Sequence, residues 1–92
     1  MALGLDSNVA ASDDAVFREM DGESVLLNLE TGMYFGLDEV GTRVWRLAAD
    51  NGSLRAVLER LVEEYDADHA TIERDLLMLG EALVSKGLWT VA

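Results

Sequence analysis

The 92-residue chain has the length of one domain with one modest core. Half of it is apolar, which is ordinary for a folded domain and too much for a disordered one. Eighteen acidic residues against seven basic ones give a formal net charge of −11, which disfavours phosphate backbones and anionic membranes and favours a basic or neutral partner.

Residues 1–12 are weakly patterned, with Gly4, Ser7, Asn8 and several alanines, and read as a flexible N-terminal tail with at most loose pairing. Residues 13–92 read as the folded domain. A first strand is expected over 15–20, followed by a hairpin turn at Asp21-Gly22, where Asp and Gly tolerate positive φ. A second strand follows over 24–29, with Val25, Leu26, Leu27 and Leu29. Glu30-Thr31-Gly32 is a second turn, and Met33-Tyr34-Phe35-Gly36-Leu37 a third, short strand. Asp38 is placed to cap a helix over 39–49, whose apolar face is Val40, Val44, Trp45, Leu47 and Ala48. Asp50-Asn51-Gly52 stops it, with Asn or Gly suited to a left-handed cap. Ser53 caps a second helix over 54–65, in which Leu54, Val57, Leu58, Leu61 and Val62 recur at helical spacing. Asp68 caps a third over 69–86, with a stripe of Ile72, Leu76, Leu79 and Leu83 widened by Leu77, Met78 and Val84; Gly87 ends it. A helix this apolar must be covered on more than one side. The fold class is therefore α+β: a three-stranded antiparallel sheet (15–37) followed by three helices, as in a winged helix-turn-helix.

Catalytic chemistry is sparse. The absence of cysteine removes disulfides and thiolate metal sites and fits a reducing compartment. His69 is the lone histidine, too few for a histidine-based metal cage. The pairs Asp13-Asp14 and Glu63-Glu64 are adjacent in sequence, so their side chains point apart and form no acid–base dyad. Gly32, Gly36 and Gly41 do not make a phosphate loop. No cofactor or metal is expected, and the chain reads as non-catalytic. No signal peptide and no membrane-length apolar run is seen, which points to a cytoplasmic protein. An acyl carrier protein would need a serine within Asp-Ser-Leu, whereas Ser53 follows Gly52 and the front half is β-rich. Read as a DNA-recognition helix, Thr71 to Met78 offers one arginine among acids and leucines, a poor reader of phosphates or bases.

The third strand is the informative element. In a meander of order 1-2-3 it lies at an edge, and it carries no lysine or proline to blunt that edge. An added peptide strand satisfies such an edge, with alternate side chains entering pockets on one face. The surplus apolar residues of the third helix suit a pocket wall. The same pattern also fits a strand facing the core and a helix covered by its neighbours. Two copies of the chain pairing edge to edge are a further outcome of an open strand.

Residues 25–88 resemble the PqqD family, the peptide chaperones also called RiPP recognition elements. The matching stretches are Val25-Leu26-Leu27-Asn28-Leu29-Glu30-Thr31-Gly32-Met33-Tyr34, Leu37-Asp38-Glu39-Val40-Gly41 with Val44-Trp45, Leu61-Val62-Glu63-Glu64-Tyr65-Asp66, and Asp75-Leu76 with Leu79, Leu83 and Gly87-Leu88. The hairpin is most similar to the small discrete members that serve lasso-peptide gene clusters. The resemblance implies that the leader of a ribosomally made precursor peptide binds as a fourth strand beside the third helix. It implies delivery to a separate maturation enzyme: a leader peptidase in lasso systems, or a radical SAM enzyme in quinone-cofactor synthesis. An acidic winged-helix regulator acting by protein contacts is the alternative. Carried over by position, the peptide-binding residues are Leu27, Met33, Tyr34, Phe35 and Gly36 on the strands, with Asp75, Leu76, Met78, Leu79 and Leu83 on the helix. Asp38 departs from the asparagine commoner in the family and keeps the capping role.

Overall fold

The computed structural model describes residues 3–92. They form, in chain order, β1 (Val9–Ala11), β2 (Ala15–Met20), β3 (Glu23–Asn28), β4 (Tyr34–Leu37), α1 (Glu39–Asp50), α2 (Leu54–Glu64), α3 (His69–Ser85) and β5 (Trp89–Val91). Strands β2, β3 and β4 make an antiparallel meander, so the expected α+β arrangement of sheet then helices is present. Asp21 and Gly22 both adopt positive φ, 54° and 85°, as a two-residue type I′ hairpin turn requires. That turn pairs Met20 with Glu23 and fixes Phe17 opposite Leu26. Leu29, expected inside the second strand, lies beyond β3 and is 60% exposed, because it falls on the outward face with Val25; its N–H still donates to the Asp14 carbonyl as the chain turns into 30–32.

All three helix caps read from the sequence are made. Asp38, Ser53 and Asp68 accept hydrogen bonds from the backbone N–H of Gly41, Ala56 and Thr71. The left-handed cap expected at the end of α1 is absent: Asn51 is extended, at φ −147°. Gly52 has a different reason to be glycine. A Cβ there would sit 2.3 Å from the carbonyl oxygen of Val9, so β1 can cross only a bare backbone. Gly87 does take positive φ, 71°, where α3 ends.

The expected tail is ordered over its described part. Val9, Ala10 and Ala11 pair antiparallel with Val91, Thr90 and Trp89, forming a second, two-stranded sheet. Val9 and Leu3 are buried. Residues 1 and 2 of that segment lie outside the described residues. The core gathers Leu26 of the sheet, Val44, Trp45 and Leu47 of α1, Leu54, Val57, Leu58 and Leu61 of α2, Leu76 and Leu83 of α3, and Leu88 and Trp89 after it. Phe17, Trp45 and Trp89 stack in sequence, at centroid separations of 5.9 and 6.0 Å. Polar groups inside are paired: the Ser24 and Thr42 hydroxyls lie 2.7 Å apart, and among the described residues no buried side-chain N or O lacks a partner. No helix among them is long and apolar enough to cross a membrane.

Candidate functional site

The hydrogen bonds of the meander decide which backbone groups of β4 are free. The N–H of Asn28 donates to the carbonyl of Met33 at 2.9 Å, and the register continues as Leu27↔Tyr34, Leu26↔Phe35, Val25↔Gly36 and Ser24↔Leu37. In an antiparallel pair, bonded and non-bonded partners alternate. Phe35 and Leu37 therefore point their backbone groups at β3, as Met33 does its carbonyl, while Tyr34 and Gly36 point theirs outward. Strand β4 is terminal in the sheet, so the outward N–H and C=O groups of Tyr34 and Gly36 have no strand beside them.

Side-chain alternation sorts the same residues by face. Leu37 is buried and Phe35 half-buried on the helix side, while Tyr34 and Gly36 are exposed on the other. Gly36 has no internal need to be glycine: its φ is not positive, and an added Cβ would meet nothing within 4 Å. A bare residue in an edge strand leaves room for another backbone to approach.

Alongside this edge runs an apolar groove of about 600 Å³. Phe35, Gly36 and Leu37 form one wall, and Thr71, Ile72, Asp75 and Leu79 of α3 the other. Val44, Leu61 and Leu76 make the floor, and Tyr65 and Ala67 close the end near the α2–α3 connection. Val40, on the expected core face of α1, is 45% exposed because it lies at this opening. The ends differ in charge. The Lys86 ammonium hangs 5.9 Å from the centroid of the Phe35 ring. Asp38 and Asp75 line the groove beyond Leu37. Asp75 is flanked by Arg74 at 3.8 Å, both largely exposed. Beneath that end, Arg43 donates two hydrogen bonds to Glu64, which holds the Glu64 carboxyl below its ordinary pKa.

The structure brings together five of the ten residues carried over from the resemblance: Phe35, Gly36, Asp75, Leu76 and Leu79. Tyr34 and Leu27 are cross-strand neighbours on the outer face, and Met33 precedes β4 and is exposed. Leu83 is fully buried in the core, because seven residues return a helix to within about 20° of Leu76. Leu79 sits about 60° from Leu76, which swings it toward the groove. Met78, about 160° away, faces solvent and is 63% exposed. Val40 and Leu61 read from the sequence only as core positions of their helices, and Gly41, Tyr65 and Ala67 carry no local signal, since their convergence on the groove depends on helix packing. Asn28 was also missed as a structural residue. Its amide donates to the Lys86 carbonyl at 2.9 Å and accepts from the N–H of Glu30 and Thr31, tying the hairpin to the end of α3. Among the described residues no cluster of His, Asp and Glu is placed to hold a metal ion.

The profile of the family described as coenzyme PQQ synthesis protein D (PqqD) matches residues 23–88. The chain belongs to the PqqD family. Its matched span contains the whole β3–β4 hairpin and all three helices, hence both walls of the groove. Among solved structures, this PqqD-family chain is similar to TbiB1, determined in complex with the TbiA(beta) leader peptide. The TM-score is 0.81 and the identity 42%, over 86% of this chain and 92% of that one. A lasso peptide synthetase B1, determined with its leader peptide, also gives a TM-score of 0.81, at 23% identity over 90% of this chain and 98% of that one. That second likeness concerns the fold alone. No curated protein sequence matches the chain.

Proposed function

We propose that the chain is an adaptor that binds the leader region of a ribosomally made precursor peptide. The leader adds as a strand to β4 beside α3, and the adaptor delivers the precursor to a separate maturation enzyme, a leader peptidase of the lasso type. The chemistry belongs to that enzyme, and the adaptor contributes binding alone. The observation that carries this reading is the open edge of β4 lying along an apolar groove walled by α3. Backbone groups of Tyr34 and Gly36 supply the ladder, and the groove takes alternate side chains of the peptide. The likeness to TbiB1, which was determined holding a leader peptide, supports the choice of ligand class.

A titration of fluorescein-labelled TbiA(beta) leader peptide, read by anisotropy, tests the reading. Micromolar or tighter binding, about −8 kcal/mol, is expected. Sedimentation of the same samples separates peptide addition from edge-to-edge pairing of two copies: peptide addition gives a 1:1 complex. No saturable binding to this leader, or to the short peptides encoded beside the gene, refutes the proposal.

A further inference from the structure

Opposite charges flank the groove of a strongly acidic chain: Asp75 lines it, and Lys86, outside the lining, stands over Phe35. Lys86 is the only lysine. Among the described residues no carboxylate lies within 4 Å of its ammonium, whereas Arg43, Arg46, Arg55, Arg60 and Arg74 each have one. It overhangs Phe35, at the start of β4. The opposite end carries Asp75, whose side chain is 67% exposed, and Asp38. Asp38 already spends one oxygen on the α1 cap; Asp75 meets the exposed Arg74 at 3.8 Å, beyond hydrogen-bond distance, and is the anion more open to a peptide cation.

Resting on the peptide-binding reading, we propose that these two ends fix the direction and register of the bound peptide. The preferred segment is a basic residue, an apolar anchor two residues later and an acidic residue two residues after that. The spacing comes from the geometry. Asp75 and Lys86 are separated by eleven helical positions, about 16 Å of rise. A strand advances about 3.4 Å per residue, so groove-facing side chains at i, i+2 and i+4 span about 14 Å. The flexible lysine stem, folded back toward Phe35, covers the remainder. The order follows from strand direction. Strand β4 runs from the Lys86 end toward the Asp75 end, and antiparallel pairing is the more stable per residue. An antiparallel peptide enters at the acidic end, so its cation is N-terminal. Reversal would place like charges together at both ends, and a two-residue slip would set one peptide charge at the apolar centre and carry the other past its partner.

The test is a charge scan. Each residue of the fluorescein-labelled TbiA(beta) leader is replaced in turn by Lys and by Glu. Every peptide is titrated against the wild-type chain, Lys86→Glu and Asp75→Lys. The wild-type chain should prefer Lys to Glu at one position, and Glu to Lys four residues further on. Lys86→Glu should reverse only the second preference and Asp75→Lys only the first, each by about tenfold at low salt, with the effect shrinking as salt rises. Both side chains are exposed, so thermal melts should stay close to wild type. Binding whose charge preferences ignore both substitutions, or fall at another spacing, overturns this inference and leaves peptide binding standing. Absence of binding to every peptide removes both.

Discussion

A proline scan of β4 separates residues that hold the sheet together from residues that serve a partner. Gly36 points its N–H outward, so Gly36→Pro deletes no bond to β3. Proline is tolerated in an edge strand in that orientation, and its ring would meet no neighbour at the Cβ position. The folded state should lose less than about 1 kcal/mol. Phe35→Pro differs, because the Phe35 N–H points at Leu26, which is fully buried. Leaving a buried carbonyl without its donor costs about 1–3 kcal/mol, and losing the half-buried ring costs about 1 kcal/mol more. A total of about 3 kcal/mol corresponds to a fall of about 12–24 °C in a domain of this size. Peptide affinity should show the opposite pattern. Gly36→Pro removes a ladder donor and sets a ring in the path of the added strand, for at least a tenfold loss, about 1.4 kcal/mol. Thermal melts followed by circular dichroism, with anisotropy titrations of the labelled leader, read both quantities. Equal melting temperatures for the two variants would refute the assigned ladder, and wild-type affinity in Gly36→Pro would refute strand addition at this edge.

Asn28→Ala should cost about 2–4 kcal/mol, since it strips the Lys86 carbonyl and the N–H groups of Glu30 and Thr31 of their shared partner; urea midpoints measure it. Asn28→Asp should recover only part of the loss, because a carboxylate still accepts from the N–H groups of Glu30 and Thr31 but cannot donate to the Lys86 carbonyl. The Arg43–Glu64 pair contributes stability with a defined pH sign. The hydrogen bonds from Arg43 hold the Glu64 pKa below its ordinary value, so its contribution is present above about pH 4.3 and is lost as pH falls through the lower, folded value. Comparing wild type with Arg43→Met should give a difference under about 1 kcal/mol near neutrality, because the pair is solvent-screened. That difference should close toward pH 3; a gap that widens on acidification contradicts the assignment.

Much of the fold is legible because it is set by local chemistry. Asp21-Gly22 specifies its own turn, the oxygens of Asp38, Ser53 and Asp68 reach N–H groups three residues ahead, and the Leu54–Leu61 spacing marks a buried helical face. Edge placement of the third strand also follows from the order of hairpins. What escapes a sequence reading is set by distant partners. Val9 to Ala11 has no alternation to mark it as a strand and acquires one only by meeting residues 89–91. Gly52 reads as a helix stop, yet its reason is the Val9 carbonyl. In the groove, Phe35 and Leu79 are legible from the strand and the stripe and Asp75 only from the family resemblance, and the stripe alone does not separate core-facing Leu83 from groove-facing Leu79. That distinction turns on a rotation of tens of degrees, which the packing of α2 decides.

The pairing of β1 with β5 has a kinetic consequence. Val9 and Val91 are partners across nearly the whole chain, and closing so long a loop from a disordered state carries an entropic cost of about 4 kcal/mol. The hairpins and helices join near neighbours and shorten the effective loop before it closes, so the clasp belongs after the folding transition state. Perturbations there should act on unfolding. Gly52→Ala, which pushes a methyl group against the Val9 carbonyl, should steepen the loss of native protein with time and leave the refolding arm of a chevron where it was.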